Sequence, residues 1–345
     1  MKDNPFNLTF GKEPTKMISR FAQTNEILDI FSSDRPSQQV YMITGVRGSG
    51  KTVFMNSIAK SLSREDDWIV LELNSSADLL RELAAKLYNT KGMTGKFKTA
   101  GINLSFWGIG LSIKKAEPLT DLGTAIELML EHVSRSGKKV LITIDEVLNS
   151  KDMRVFAGAF QIFIRHDYPL FLLMTGLYEN INKLQNEENL TFLYRAPKVY
   201  LSSLNISRIT DIYENTLKLK KDEARKLALI SKGYSFAFQV IGYFTYSHNG
   251  DYNAALPDIR QYIDEYVYDK IWIELSEKET VFLEEIAVNE ITDVKSLKES
   301  LALKPNEFSV YRDRLIKKGI LESPRRGYLE FALPYLDDYI RERSI

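Results

Sequence analysis

Residues 40–52 constrain this chain more than any other stretch. An apolar run, Val40, Tyr41, Met42 and Ile43, feeds a turn of the form G-x-x-x-x-G-K-T: Gly45, Val46, Arg47, Gly48, Ser49, Gly50, Lys51 and Thr52, with Val53 following. Glycines at 45, 48 and 50 let the backbone bend so that successive N–H groups point inward at the start of a helix, which makes an anion cradle. Lys51 then reaches the β- and γ-phosphates of ATP or ADP, and the Thr52 hydroxyl joins the shell of a Mg2+ ion. The flanks agree: residues 40–43 read as a buried strand, and Phe54, Met55, Ile58, Ala59 and Leu62 recur at helical spacing.

A strand over 68–73 and a helix over 77–88 follow, then a helix over 121–136, a strand over 140–144, a helix over 153–166 and a strand over 170–174. A last strand is expected over 192–201. This alternation predicts an α/β fold, a parallel sheet sandwiched by helices. The stretch 91–118 breaks the rhythm. Ile102, Leu104 and Phe106, then Ile109, Leu111 and Ile113, alternate around Trp107 and Gly108, a hairpin pattern flanked by Lys96, Lys98, Lys114 and Lys115. It reads as a protruding element or as an insertion folded onto its own domain.

The strand over 140–144 ends in Asp145 and Glu146, about ninety residues after the phosphate loop. At the carboxyl end of a central strand, Asp145 can hold a metal's water shell beside Thr52, and Glu146 can act as general base on the attacking water. The strand over 170–174 ends in Thr175, which either senses the γ-phosphate or caps the next helix. Arg195 is a candidate finger for a neighbouring subunit's nucleotide, in competition with Arg165.

Residues 205–275 read as a small helical lid. Residues 276–345 read as three helices, over 276–289, 294–301 and 306–318, and two strands around a Pro-Arg-Arg-Gly turn, which together make a winged helix-turn-helix. In the third helix Phe308, Tyr311 and Leu315 share one face, with Arg314, Lys317 and Lys318 expected to point away. Between Lys304 and Arg326 there are seven basic residues and three acidic ones. Arg314, Lys317, Lys318, Arg325 and Arg326 are therefore candidate contacts to double-stranded DNA. The resulting domain plan is 1–39, an N-terminal linker and helix that closes over the base or packs on the sheet edge; 40–204, the nucleotide core, with its insertion near 92–118; then the lid and the terminal module.

Composition closes off other chemistries. The chain has no cysteine, so disulfides, iron–sulfur clusters and thiol nucleophiles are excluded. His132, His166 and His248 have no metal-ligand spacing. The formal charge is zero, so any nucleic-acid surface is local. No secretory leader pattern opens the sequence and the longest apolar run, 170–174, is too short to span a bilayer, so cytoplasmic placement and no membrane partner are expected.

With these motifs placed, the chain resembles the AAA+ ATPases of the origin-recognition and initiator type and their bacterial and archaeal relatives, which overlap with the STAND class of signalling ATPases. Asn4, Pro5 and Phe6, then Phe10 and Gly11, then Ile18, Ser19 and Arg20 are similar to an N-terminal signature of that group, a region that lies by the adenine. The resemblance implies that Gly45 to Thr52 is the Walker A motif, that residues 140–146 are Walker B, that Thr175 is sensor 1, and that Arg195 lies where these families keep a finger. It also implies a lid-helix arginine on the γ-phosphate. Residues 233–239 have none, which points to slow hydrolysis and a switch. Two readings follow: an ATP-dependent DNA-binding switch, or a regulatory or defence ATPase whose winged helix docks a protein or holds the lid shut. Either allows a homo-oligomer.

Overall fold

Two strand-to-strand crossovers place the motif-bearing strand ends side by side. In the computed structural model, which describes residues 3–9, 14–109, 121–188 and 190–344, β1 (Val40–Thr44), β2 (Trp68–Leu73), β3 (Lys139–Ile144), β4 (Leu170–Gly176) and β5 (Lys198–Tyr200) form one sheet in the order β2-β3-β4-β1-β5. All four pairings are parallel. Side chains alternate between its faces. Val40, Met42, Val140, Ile142, Ile144, Leu170, Leu172 and Met174 share a core with the helices Leu79–Tyr88, Leu122–Arg135 and Lys151–Arg165. Tyr41 and Phe171 lie on the other face, in an aromatic group with Phe31 and Trp68 whose ring centroids are 4.8 to 6.5 Å apart. Cover on both faces is why β3 and β4 are continuous apolar runs and not alternating ones.

The chain divides into two compact units. The sheet belongs to one of them, Phe21–Thr44 with Lys51–Tyr200. The helix Phe21–Ser32 is part of this unit, because Ile27 and Phe31 are buried in it.

Two sequence expectations fail here. The first arm of the expected hairpin is absent: Thr94–Thr99 is a helix and Ser105–Trp107 a single 3₁₀ turn, while the second arm, with Leu111, Ile113, Lys114 and Lys115, lies outside the described residues. Phe97, Ile102, Leu104 and Ile109 are spent on the unit's own core, and burial of that kind overrides a two-residue period. The expected strand over 192–201 is also shorter. Thr191–Arg195 is a helix and only Lys198–Tyr200 pairs with β1, because Pro197 has no N–H to offer a ladder and holds Ala196 extended.

The other unit comprises Met1–Arg20, Gly45–Gly50 and Leu201–Ile345. Its helices Ile206–Leu217, Lys221–Ile230, Ser235–Ser247 and Tyr252–Ile263 lead through a π-helical turn, Asp264–Tyr268, to Asp269–Ile273. Phe6 anchors the N-terminal segment against Tyr213 and Phe238, each ring 5.9 Å away. Only glycine fits at 242, where a Cβ would come within 2.4 Å of the Phe6 ring. The helices Glu277–Val288, Val294–Leu301 and Pro305–Lys317 follow, then a two-stranded antiparallel ribbon of β6 (Leu321–Glu322) and β7 (Glu330–Phe331). A last helix, Leu336–Arg343, was not expected from the sequence, although Leu336, Tyr339 and Ile340 bury at helical spacing. Residues 204–340 contribute to one continuous core, so the stretches read as lid and terminal module are not separated by a break in packing.

Candidate active site at the strand ends

Register sets the chemistry in the sheet unit. Ile144 pairs with Met174, so the next residues out, Asp145 and Thr175, meet on the same face. The Thr175 hydroxyl donates to Asp145 Oδ1. It accepts in turn from the Glu146 backbone N–H at 3.1 Å, a group that also donates to Asp145 Oδ1 at 3.1 Å. Glu146 is held at φ +50°, a left-handed conformation unusual for its residue type, and its side chain is exposed. The neighbouring Val147 N–H donates to the Thr175 carbonyl at 2.8 Å. On the other side, the Thr52 hydroxyl at the first turn of the helix Lys51–Leu62 donates to Asp145 Oδ2 at 2.8 Å. Thr52, Asp145, Glu146 and Thr175 are thus one hydrogen-bonded group. The single hydroxyl proton of Thr175 is committed to Asp145, so in this arrangement Thr175 positions the acidic pair.

The loop Gly45–Gly50 packs within the other unit. Gly48 has φ +71° and Gly50 φ +90°, values that an L side chain rarely adopts. At Gly48 a Cβ would also fall 2.4 Å from the Tyr234 hydroxyl and 2.8 Å from Phe236 Cβ. Three loop carbonyl contacts hold it: Tyr234 donates to Arg47 O at 2.5 Å, and Ser235 Oγ and Arg20 Nη2 donate to Ser49 O at 3.0 and 3.1 Å. The Arg47 side chain pairs with Glu274. Val46, Lys51, Thr52 and Val53 are half-buried. Tyr234, Ser235 and Arg20 as loop partners were not foreseen. The only hint in the sequence was their place in two segments already singled out, 231–239 and 18–20.

Arg195 ends the short helix Thr191–Arg195 and is exposed. It meets no carboxylate among the described residues, and Arg165 is likewise exposed at a helix end. Phe10 and Gly11 of the N-terminal signature lie outside the described residues. Among those residues no group of three acidic, histidine or cysteine side chains could hold a metal alone, and no helix is long and apolar enough to cross a membrane.

One candidate for DNA contact is overturned. Lys318 does not face solvent: its Nζ lies 2.8 Å from Glu279, with the side chains 11% and 1% exposed. Burial pushes the Glu279 carboxyl up, but Lys318 and Ser276 outweigh it and leave the carboxyl below its usual range. Arg314 lies over the Tyr311 ring at 5.8 Å, and Arg325 over Tyr328 at 3.6 Å. Lys317, Arg325 and Arg326 are exposed, and the exposed positions of the third helix include Asn306, Val310, Asp313 and Lys317.

Residues 19–232 match the family described as an ATPase domain predominantly from Archaea, and residues 265–340 match a domain of unknown function. No curated protein matches the chain. Among solved structures, a Walker-type ATPase of Pyrococcus abyssi is similar over 97% of this chain and 99% of its own, with 14% identity and a TM-score of 0.66. The Aeropyrum pernix ORC2 protein in its ADPNP–ADP complexes is similar over 97% of each chain, with 13% identity and a TM-score of 0.59. At such identities the likeness is one of fold.

Proposed function

The chain belongs to the family of ATPase domains found predominantly in Archaea, and from that premise we propose that it is a slow, nucleotide-driven switch of the AAA+ type that binds DNA through its C-terminal module. The observation that carries the catalytic part is the group of Thr52, Asp145, Glu146 and Thr175, joined by hydrogen bonds. Thr52 and Asp145 present two hard oxygen donors 2.8 Å apart, a set that fits Mg2+, which keeps most of its waters and takes one or two protein oxygens. Bound there, Mg2+ supplies charge neutralisation at the phosphates.

The chain's own residues do the rest. Backbone amides of Gly45 to Gly50 and the Lys51 ammonium bind the phosphates of ATP or ADP. Glu146, exposed and fixed by its own backbone bonds, takes the proton of the attacking water. Thr175 keeps Asp145 and Glu146 in register. Arg195 stands exposed for use by a neighbouring copy in a homo-oligomer. Calorimetric titration of ATP tests this site: Lys51→Ala is expected to remove measurable binding, and retained affinity in that variant would sink the assignment.

For the module, residues 276–345 act as a winged helix in which Lys317, Arg314 and the ribbon tip, Arg325 and Arg326, meet phosphates. A second reading has specific support. With Lys318 paired internally and Val310 and Asp313 on the exposed side of the third helix, that helix also suits a protein surface, as in a STAND-like regulator. Gel shifts with and without ATP, repeated with Lys317→Glu and Arg326→Glu, separate the two. ATP-sensitive shifts weakened by both changes support DNA, and no shift by the wild type supports the protein partner.

A further inference from the structure

Residues 233–239 lack the arginine that an initiator-type lid helix brings to phosphate, yet a guanidinium lies at that segment from elsewhere in the chain. Arg20 Nη2 donates to Ser49 O at 3.1 Å, Ser202 O at 3.0 Å and Ser235 Oγ at 3.3 Å. One nitrogen therefore ties the phosphate loop to the first residue of the helix Ser235–Ser247. The other two nitrogens are unspent. Nε is buried without a hydrogen-bond partner, and Nη1, which makes no hydrogen bond among the described residues, lies 3.6 Å from the position a Cβ would take on Gly50. Every acceptor that Arg20 meets is neutral, and no carboxylate pairs with it among the described residues. Desolvation by burial lowers its pKa to about 10. A desolvated cation without a counter-ion is costly unless an anion arrives, and the Nη1 N–H groups are free to make a charge-assisted hydrogen bond to a phosphate oxygen.

We propose that Arg20 is the phosphate-binding arginine of this chain: its Nη1 donates to an oxygen of the nucleotide polyphosphate, while Nη2 keeps the loop joined to the start of the lid helix. The proposal rests on the nucleotide reading above and deepens it, since it replaces the missing lid arginine by one from the N-terminal segment. Occupancy by phosphate is then felt at Ser235 through a single side chain, which is how a slow ATPase can report its nucleotide state.

The test titrates wild type, Arg20→Met and Arg20→Lys with magnesium tripolyphosphate, ADP and adenosine, and records melting temperatures without ligand. In Arg20→Met, affinity for tripolyphosphate and ADP is expected to fall roughly 10- to 100-fold, the range for a lost charge-assisted hydrogen bond, while adenosine changes by less than about twofold. Arg20→Lys keeps the charge but not the fork and is expected to lie between. The unliganded melting temperature of Arg20→Met is expected to equal or exceed that of the wild type, because an uncompensated cation has been removed. Equal losses for adenosine and ADP would move Arg20 to the base and overturn the proposal. Unchanged tripolyphosphate affinity with a lowered melting temperature would overturn it too, by making Arg20 merely structural. If Arg20→Met does not fold, the ratio of ADP to adenosine losses in Arg20→Lys decides. A wild type that binds neither ADP nor tripolyphosphate defeats the nucleotide reading itself, an outcome distinct from either of these.

Discussion

The strand-end site in the sheet unit and the charged surface of residues 276–345 are both polar, yet they behave differently. At the strand ends, each polar group is placed by the backbone: Asp145 and Thr175 lie one step beyond a paired Ile144 and Met174, and the Glu146 amide is fixed to both. In the terminal module, charges sit at the tips of long side chains and their partners depend on what packs nearby. Lys317 and Lys318 are sequence neighbours with opposite fates, one exposed and one in a buried pair with Glu279. A polar residue at the end of a buried strand can be read from the sequence, whereas a cation on a helix cannot be assigned to solvent by counting.

Four measurements break or sharpen that contrast. The largest expected effect is at the strand end: Glu146→Gln keeps ATP binding by calorimetry and lowers steady-state turnover about 10²- to 10⁴-fold, the range for a lost general base. Turnover near the wild-type rate would remove Glu146 from that role.

In the terminal module, Lys318→Met strands the Glu279 carboxylate and is expected to cost about 3 kcal/mol in urea unfolding, whereas Lys317→Met changes stability by less than about 0.5 kcal/mol. Similar costs for the two would mean that burial does not separate them. On the ribbon tip, Arg325→Glu with Arg326→Glu is expected to weaken DNA binding and reduce the salt dependence of log K by about two, roughly one per lost phosphate contact. An unchanged salt slope would support the protein-partner reading.

The smallest effect is at Asp264 in the π-helical turn, where burial and then Glu342, with Asp269 and Asp338, push the carboxyl up to about 7 against the pull of Arg260. Between its ordinary 3.8 and 7 the unfolded chain releases a proton that the native chain retains, so stability falls as pH rises through this window and levels off above it. Asp264→Asn is therefore expected to raise the melting temperature more at pH 8 than at pH 5, where only part of the penalty has developed. An equal shift at both values would remove the titration from the explanation.

Most of the sheet was legible because both-face burial demands continuous apolar runs, which is why β2, β3 and β4 begin and end within a residue or two of expectation. The group Thr52, Asp145, Glu146 and Thr175 was legible for a related reason, since residue type and strand-end position together define it. The stretch 92–109 was misread because Ile102, Leu104 and Ile109 alternate for reasons of core filling and not of pairing. The C-terminal helix Leu336–Arg343 was missed because only eight residues carry its pattern. Arg20 was seen but given no partners, since Ser202 and Ser235 are 182 and 215 residues away along the chain.

Sequence alone determined the order of the sheet's strands along the chain and the places of the glycine loop and the acidic pair, because backbone conformation at glycines and at strand ends follows from residue type and local period. Tertiary structure alone decided which cations are exposed, which hydroxyl bonds to which carboxylate, and that Arg20 reaches the loop. Those outcomes depend on distances between remote segments, and no local propensity encodes them.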